Sequence, residues 1–200
     1  MGRLMNAICD PDNLGAAWRA CRNDRAHWLP GVSRREVEPH IYTHLLRLAE
    51  ELRKGRYRPG GLRRFTIRKG DGSERELAAL GLRDKVAQRA FNQVLQQQAE
   101  PGFHSDSFGF RPGRSVDMAV SRARTYITEG DAWLVHTDLK DCFDRIPHAP
   151  LRRLLRREIR DRRVRRILFR WLRAYATQPG GLFSRRRGLP QGAVLSPLLT

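Results

Sequence analysis

Apolar positions recur along this chain with two periods. From Ser33 to Leu52 they fall three to four apart: Val37, Ile41, Leu45, Leu48 and Leu52 share one face, the signature of an amphipathic helix. Ser33 and Glu36 have capping-box spacing at its start, and Gly55 with Pro59-Gly60-Gly61 ends it. Earlier, Leu14–Cys21 reads as a helical stretch. The period then drops to two. Phe65 and Ile67 alternate with basic residues in Arg63–Lys69, Gly70-Asp71-Gly72 offers a turn, and Ser73–Ala79 returns, which predicts a basic β-hairpin. Helical spacing resumes over Arg83–Gln98, with Val86, Ala90, Phe91, Val94 and Leu95 inward. Pro101–Arg114 is a loop punctuated by glycine and proline, and Ser115–Ile127 is helical.

The second half continues the alternation. Trp133–Asp138 is a short apolar run ending in an acid, which predicts a buried strand with a carboxylate at its tip. Pro147 begins a helix through Leu155. Asp161 is placed to cap another, whose Val164, Ile167, Leu168, Trp171, Leu172 and Tyr175 face a core and whose other side is almost all arginine. Gly181–Arg187 reads as a strand, and a helix starts near Ser196. The mixture predicts an α+β fold.

Composition adds a partner. The net charge is +18 over 200 residues. Only Lys54, Lys69, Lys85 and Lys140 are lysines; every other basic residue is arginine, whose planar fork suits phosphate oxygens. A nucleic-acid partner follows, without a choice between DNA and RNA. No run of about 18 apolar residues is long enough to span a membrane, and no secretion signal leads the chain. Cys9, Cys21 and Cys142 are far apart and odd in number, with neither metal spacing nor a disulfide framework, so a reducing cytoplasm is the expected compartment.

Candidate chemistry gathers in His136-Thr137-Asp138-Leu139-Lys140-Asp141-Cys142-Phe143-Asp144-Arg145-Ile146. A carboxylate held at a strand end is a good ligand for Mg²⁺, which takes hard oxygens. Taken alone, Asp138 reads better as an Asp capping the turn after a strand. The segment, however, resembles motif A of reverse transcriptases of the bacterial group II intron type: Asp-(Ile/Leu)-x-x-aromatic-Phe-Asp-x-Ile. Gly188-Leu189-Pro190-Gln191-Gly192-Ala193-Val194-Leu195-Ser196-Pro197 resembles motif B of that family, and Arg64-x-x-x-Arg68-Lys69-x-x-Gly72-x-x-Arg75 its fingers hairpin. Leu82-Arg83-Asp84-Lys85, Ser107-Phe108-Gly109-Phe110-Arg111-Pro112-Gly113-Arg114, and Gly55-Arg56-Tyr57-Arg58-Pro59 match further blocks.

The resemblance implies a right-hand polymerase in pieces: a helical N-terminal extension (1–60), fingers (61–130) and an incomplete palm (131–200). It implies RNA-directed DNA synthesis with two Mg²⁺ ions. Asp138 would bind both metals, and the Leu139 carbonyl one of them. The backbone amides of Asp141 and Cys142 would meet the triphosphate, and Phe143 would exclude a 2′-hydroxyl. Gln191 would pack on the incoming nucleotide, and Lys69 and Arg75 would reach its phosphates. Arg111, Arg114 and Gly192 would contact nucleic acid. Arg68, Ser73, Glu76 and Cys142 depart from the family's usual residues. Motif C, with the remaining metal carboxylates, is expected beyond Thr200, so the chain alone is expected to be inactive. Implied partners are an RNA template, a DNA primer, deoxynucleoside triphosphates, and either intron RNA or a CRISPR spacer integrase. The alternative function is a non-catalytic, maturase-like RNA-binding module that assists splicing.

Overall fold

A computed structural model describes residues 2–68, 70, 72, 74–176 and 186–200, with the backbone alone of Arg75 and Glu76. The chain starts with two helices, α1 (Arg3–Ile8) and α2 (Pro11–Ala20). Asp10 caps α2 by accepting from the Asp12 amide at 2.9 Å, and Pro11 sits where its missing N–H costs nothing. α1, at six residues, is too short to show a helical period in the sequence. The helix predicted from Ser33 is broken in two: α3 (Arg34–Val37), a 3₁₀ turn through Glu38–His40, then α4 (Ile41–Arg53). Pro39 cannot donate a helical hydrogen bond, and the tighter turn absorbs it. The Ser33–Glu36 capping box is present.

Two strands, β1 (Arg63–Arg68) and β2 (Glu74–Ala79), pair antiparallel from Arg63↔Ala79 to Arg68↔Glu74. They form the whole sheet among the described residues. Lys69 and Ser73, predicted to end the strands, lie outside the described residues. α5 (Leu82–Ala99) follows and runs through the centre, packed against α1 and α2. α6 (Val116–Thr128) is capped by the Ser115 hydroxyl, which accepts from the Met118 amide, yet buries no side chain. α7 (Cys142–Arg145), α8 (His148–Glu158) and α9 (Arg162–Ala176) complete the helices, and a 3₁₀ turn spans Ser196–Leu199 where an α-helix was expected to start. No described helix is long and apolar enough to cross a membrane.

One hydrophobic cluster joins all three predicted spans, from Met5 through Phe91 to Leu195. Its centre is aromatic. Trp171 of α9 meets Phe91 of α5 edge-on at 4.8 Å between centroids and Tyr57 at 5.7 Å. A polar network runs beside it. Tyr57 donates to Asp84 Oδ1 at 2.5 Å, the Gly60 amide donates to Asp84 Oδ2 at 2.7 Å, and Trp171 Nε1 donates to Tyr57 Oη at 3.1 Å. Asp84 is buried, and desolvation raises its pKa against the opposing pull of these hydrogen bonds. A Cβ on Gly60 would stand 3.0 Å from Asp84 Oδ2, so the close approach needs glycine. Arg83 lies over the Tyr57 ring and pairs with Glu51.

The expected buried strand at Trp133–Asp138 is not formed. Residues 131–141 are all exposed and unassigned to any strand, with Trp133 95% and Val135 90% accessible. A strand needs a ladder partner for its amides and carbonyls, and no described segment lies alongside. Of the strand predicted at Gly181–Arg187, residues 181–185 lie outside the described set. Arg187 makes an isolated bridge with Pro147.

Candidate functional site

Three sequence blocks far apart in the chain meet at one place. α7 and the 188–192 turn are bonded directly: the Gly188 amide donates to the Ile146 carbonyl at 2.8 Å, and the Leu189 amide to the Phe143 carbonyl at 2.7 Å. Gln191 Nε2 donates to Asp144 Oδ2 at 3.2 Å. The hairpin is tied in from the other side, because the Ala78 amide donates to the Gln191 carbonyl at 3.0 Å. Both glycines of the turn are in the left-handed region, Gly188 at φ 96° and Gly192 at φ 99°. A Cβ would stand 3.0 Å from the Asp144 carbonyl oxygen at Gly188 and 3.1 Å from that of Ala78 at Gly192. Backbone on both sides leaves no room to yield.

α8 locks the same turn. The buried His148 donates from Nε2–H to the Gly188 carbonyl at 2.8 Å, and its amide donates to the Arg186 carbonyl at 3.0 Å. Ser196 donates from its hydroxyl to the Pro190 carbonyl at 2.8 Å. Leu195 donates its amide to Gln88 Oε1 at 3.4 Å, and Gln88 bonds the Tyr175 hydroxyl. The turn is thus seated on α5 and α9, the most buried helices. Beside it opens a groove of about 460 Å³ lined by Asp141, Asp144, Arg145, Arg186 and Arg187. Its mixed carboxylates and guanidinia suit a phosphorylated ligand with a cation.

The structure treats the sequence-predicted residues unequally. Phe143 is half-buried against the core and meets the Gln191 turn through its carbonyl. Asp141 adopts φ 54°, starts α7, and pairs with Arg145 at 3.2 Å. Cys142 is half-buried, and its amide donates to the Leu139 carbonyl at 3.2 Å. Asp138 and Leu139 lie in the exposed segment that belongs to no helix or strand. Among the described residues no group of three His, Cys, Asp or Glu side chains is placed to hold a metal. Lys69 lies outside the described residues, and Arg75 is described only in its backbone, opposite Ile67.

Arg111 is committed internally. Nε and Nη2 donate to Glu100 Oε1 at 3.0 and 2.6 Å, and Nη1 donates to the carbonyls of His104 and Ser107, both at 2.7 Å. This fork braces the loop, the structural role open to an arginine there. Arg114 is half-buried with its guanidinium 5.4 Å from the Phe108 centroid. Sequence reasoning assigned no role to Asp144, Arg145, Arg187 or His148. Asp144 stood inside the quoted motif A; His148 carried no signal, since a histidine at a helix start is unremarkable without its partner.

Comparison with known proteins matches these features. The family model described as reverse transcriptase (RNA-dependent DNA polymerase) fits residues 67–200, and the chain belongs to that family. It is 33% identical over 205 aligned positions to the protein YkfC of Escherichia coli K12, covering 99% of this chain and 54% of YkfC. It is 29% identical over 198 positions to the group II intron-encoded protein LtrA of Lactococcus lactis, covering 98% of this chain and 33% of LtrA. The chain therefore spans about half or less of these relatives. A chain solved in a partial Cas6-RT-Cas1–Cas2 complex shares its fold, with a TM-score of 0.60 at 24% identity, covering 98% of this chain and 33% of that one. The predicted kinship to group II intron-type reverse transcriptases holds, as does the mixed α and β fold with few strands.

Proposed function

We propose that the full-length protein carrying this chain is an RNA-directed DNA polymerase, and that residues 61–200 supply its fingers and the first part of its palm. The observation that carries this reading is the junction at Gln191, where the hairpin, the segment after Asp138 and the 188–192 turn are hydrogen-bonded together. These are the three blocks that resemble the family's nucleotide-handling motifs. A chance resemblance has no reason to bring all three to one hydrogen-bonded junction.

In this reading the turn, held by Gly188 and Gly192, presents Gln191 to the incoming nucleotide. Phe143 forms the floor under the sugar and admits only a deoxyribose. Asp141 offers its backbone amide to the triphosphate at the start of α7, the Cys142 amide joins it by leaving the Leu139 carbonyl that it bonds at 3.2 Å, and Lys69 and Arg75 offset charge on the outer phosphates. Arg114 and the Gly192 backbone lie along the template. Asp138 and the Leu139 carbonyl are oxygen donors of the kind Mg²⁺ takes, so they fit the ion, although further carboxylates must complete its shell. Bound there, Mg²⁺ would activate a primer 3′-oxygen and stabilise the leaving pyrophosphate. Residues after Thr200 would bring those carboxylates and the strands that cover 133–139.

The test is primer extension on an RNA template with Mg²⁺ and deoxynucleotides. The full-length protein is expected to extend, Asp138→Ala to fall to background with its fold intact, and the 200-residue polypeptide to stay at background. Extension by the Asp138→Ala protein at the parent's rate would overturn the assignment.

A further inference from the structure

Eleven arginines and only two acids, Glu158 and Asp161, lie between residues 150 and 173. That segment carries half of the chain's net charge. The structure sorts these arginines into two groups. Some are structural. Arg165 donates to the Ile159 and Arg156 carbonyls at 2.7 and 3.3 Å, closing the C-terminus of α8. Arg170 donates to the Gly55 and Tyr57 carbonyls at 2.6 and 2.9 Å. Arg163 reaches the Gly2 carbonyl and Asp161. Arg157 pairs with Glu158.

Arg152, Arg153, Arg156, Arg160 and Arg162 pair with no carboxylate among the described residues. Two of them are nevertheless held in place. Arg152 and Arg156, one turn apart on α8, both set their guanidinia over the Phe169 ring of α9, each 5.3 Å from its centroid. Two like charges on one ring repel, and Nε of Arg152 is buried without a hydrogen-bond partner. Freely solvated arginines need no such placement. Stacked forks have already lost their rotamer freedom, so an anion that binds them meets a prepared site.

We propose that the outer surface of α8 and the start of α9 is a second RNA-binding surface, which grips the phosphate backbone of duplex RNA outside the nucleotide groove. Arg152 and Arg156 stand one turn apart on α8, about 6 Å along it, and Arg160 and Arg162 continue past its end into the start of α9, so the charges form a row rather than a point. Leu154 is the only large exposed hydrophobic side chain among described residues 148–176. A protein partner would want an apolar centre, whereas a phosphate backbone wants only forks and charge. The surface is also anchored at both ends: His148 ties α8 to the Gly188 turn, and Asp161 accepts from the Met5 amide of α1 at 3.2 Å. It leads about 16 Å away from the groove, the length of α8's eleven residues. The choice of RNA over DNA rests on the polymerase reading above; the existence of the surface does not.

The experiment measures binding of a blunt RNA duplex to the full-length protein across a salt series, without nucleotide or Mg²⁺, so that it is independent of primer extension. Substituting Arg153, Arg156, Arg160 and Arg162 together by Gln should weaken binding about tenfold or more and lower the slope of log affinity against log salt by about 1 per arginine. A second variant, Arg153→Gln with Arg160→Gln, touches only exposed side chains without partners and should show part of the same effect. A control with Arg19, Arg35, Arg47 and Arg124 changed to Gln removes equal charge elsewhere. Equal weakening by this control would overturn the proposal, as would unchanged binding by both surface variants. Tighter binding of duplex DNA than RNA would overturn the choice of RNA, and loss of polyglutamate binding with RNA binding intact would assign the surface to an acidic protein instead.

Discussion

At the scale of single residues, the most constrained group is Asp84. It was quoted from the sequence as part of Leu82-Arg83-Asp84-Lys85, with no hint that it is buried. Its carboxylate accepts from Tyr57 and from the Gly60 amide, so both oxygens are committed. Asn at this position keeps one acceptor and turns an amide nitrogen toward one of those donors. Asp84→Asn is expected to cost about 1–3 kcal/mol at neutral pH, the usual cost of a buried group left unsatisfied. The pH dependence has a definite sign. Burial raises the pKa of Asp84 above its ordinary value, so the folded state holds the proton more tightly than the unfolded chain. The stability that this residue contributes is full below the unfolded pKa and declines as pH rises through the folded one. The gap in melting temperature between parent and Asp84→Asn should therefore narrow as pH climbs from acid toward neutral. A gap that widens over that range would show that the carboxylate is favoured as the anion after all.

At the scale of elements, α9 shows what a sequence pattern reveals and what it hides. Val164, Ile167, Leu168, Trp171, Leu172 and Tyr175 were legible as a buried stripe, and all six are buried. The pattern could not say what the stripe meets. Trp171 lands on Phe91 and Tyr57 from two other elements, and its indole N–H finds the Tyr57 hydroxyl. Trp171→Ala should cost about 3–5 kcal/mol, the range for removing a large aromatic from a core, read as a shift in the denaturant midpoint. A loss under about 1 kcal/mol, ordinary for a surface change, would mean that α9 is not seated there. The hairpin was likewise legible from its two-residue alternation and its Gly-Asp-Gly turn. α7 was not, because four residues starting from a left-handed Asp141 leave no periodic trace.

At the scale of the whole molecule, the candidate site divides along the same line. Phe143, Asp144 and Gln191 come together through local hydrogen bonds that the chain itself supplies. Asp138 does not join them, because its predicted strand needs a neighbour in a sheet. Periodicity marked Trp133, Leu134 and Val135 for burial in a strand that is not formed; it could not know whether a partner strand is present. Their exposure of 95, 77 and 90% puts three consecutive apolar side chains in water, the kind of surface that folded proteins cover. Limited chymotrypsin digestion of the 200-residue polypeptide is expected to cut first between residues 131 and 141, where exposed Trp133, Leu134 and Leu139 lie outside any helix or strand. The core helices α5 and α9 should survive that first cut. In the full-length protein the same bonds should resist, because strands from the following sequence would pair with this segment and bring Asp138 to the Phe143 side. Equal cleavage in both proteins would mean that 133–139 stays open whatever follows it, and that the carboxylate on which the polymerase reading depends is never carried to the groove.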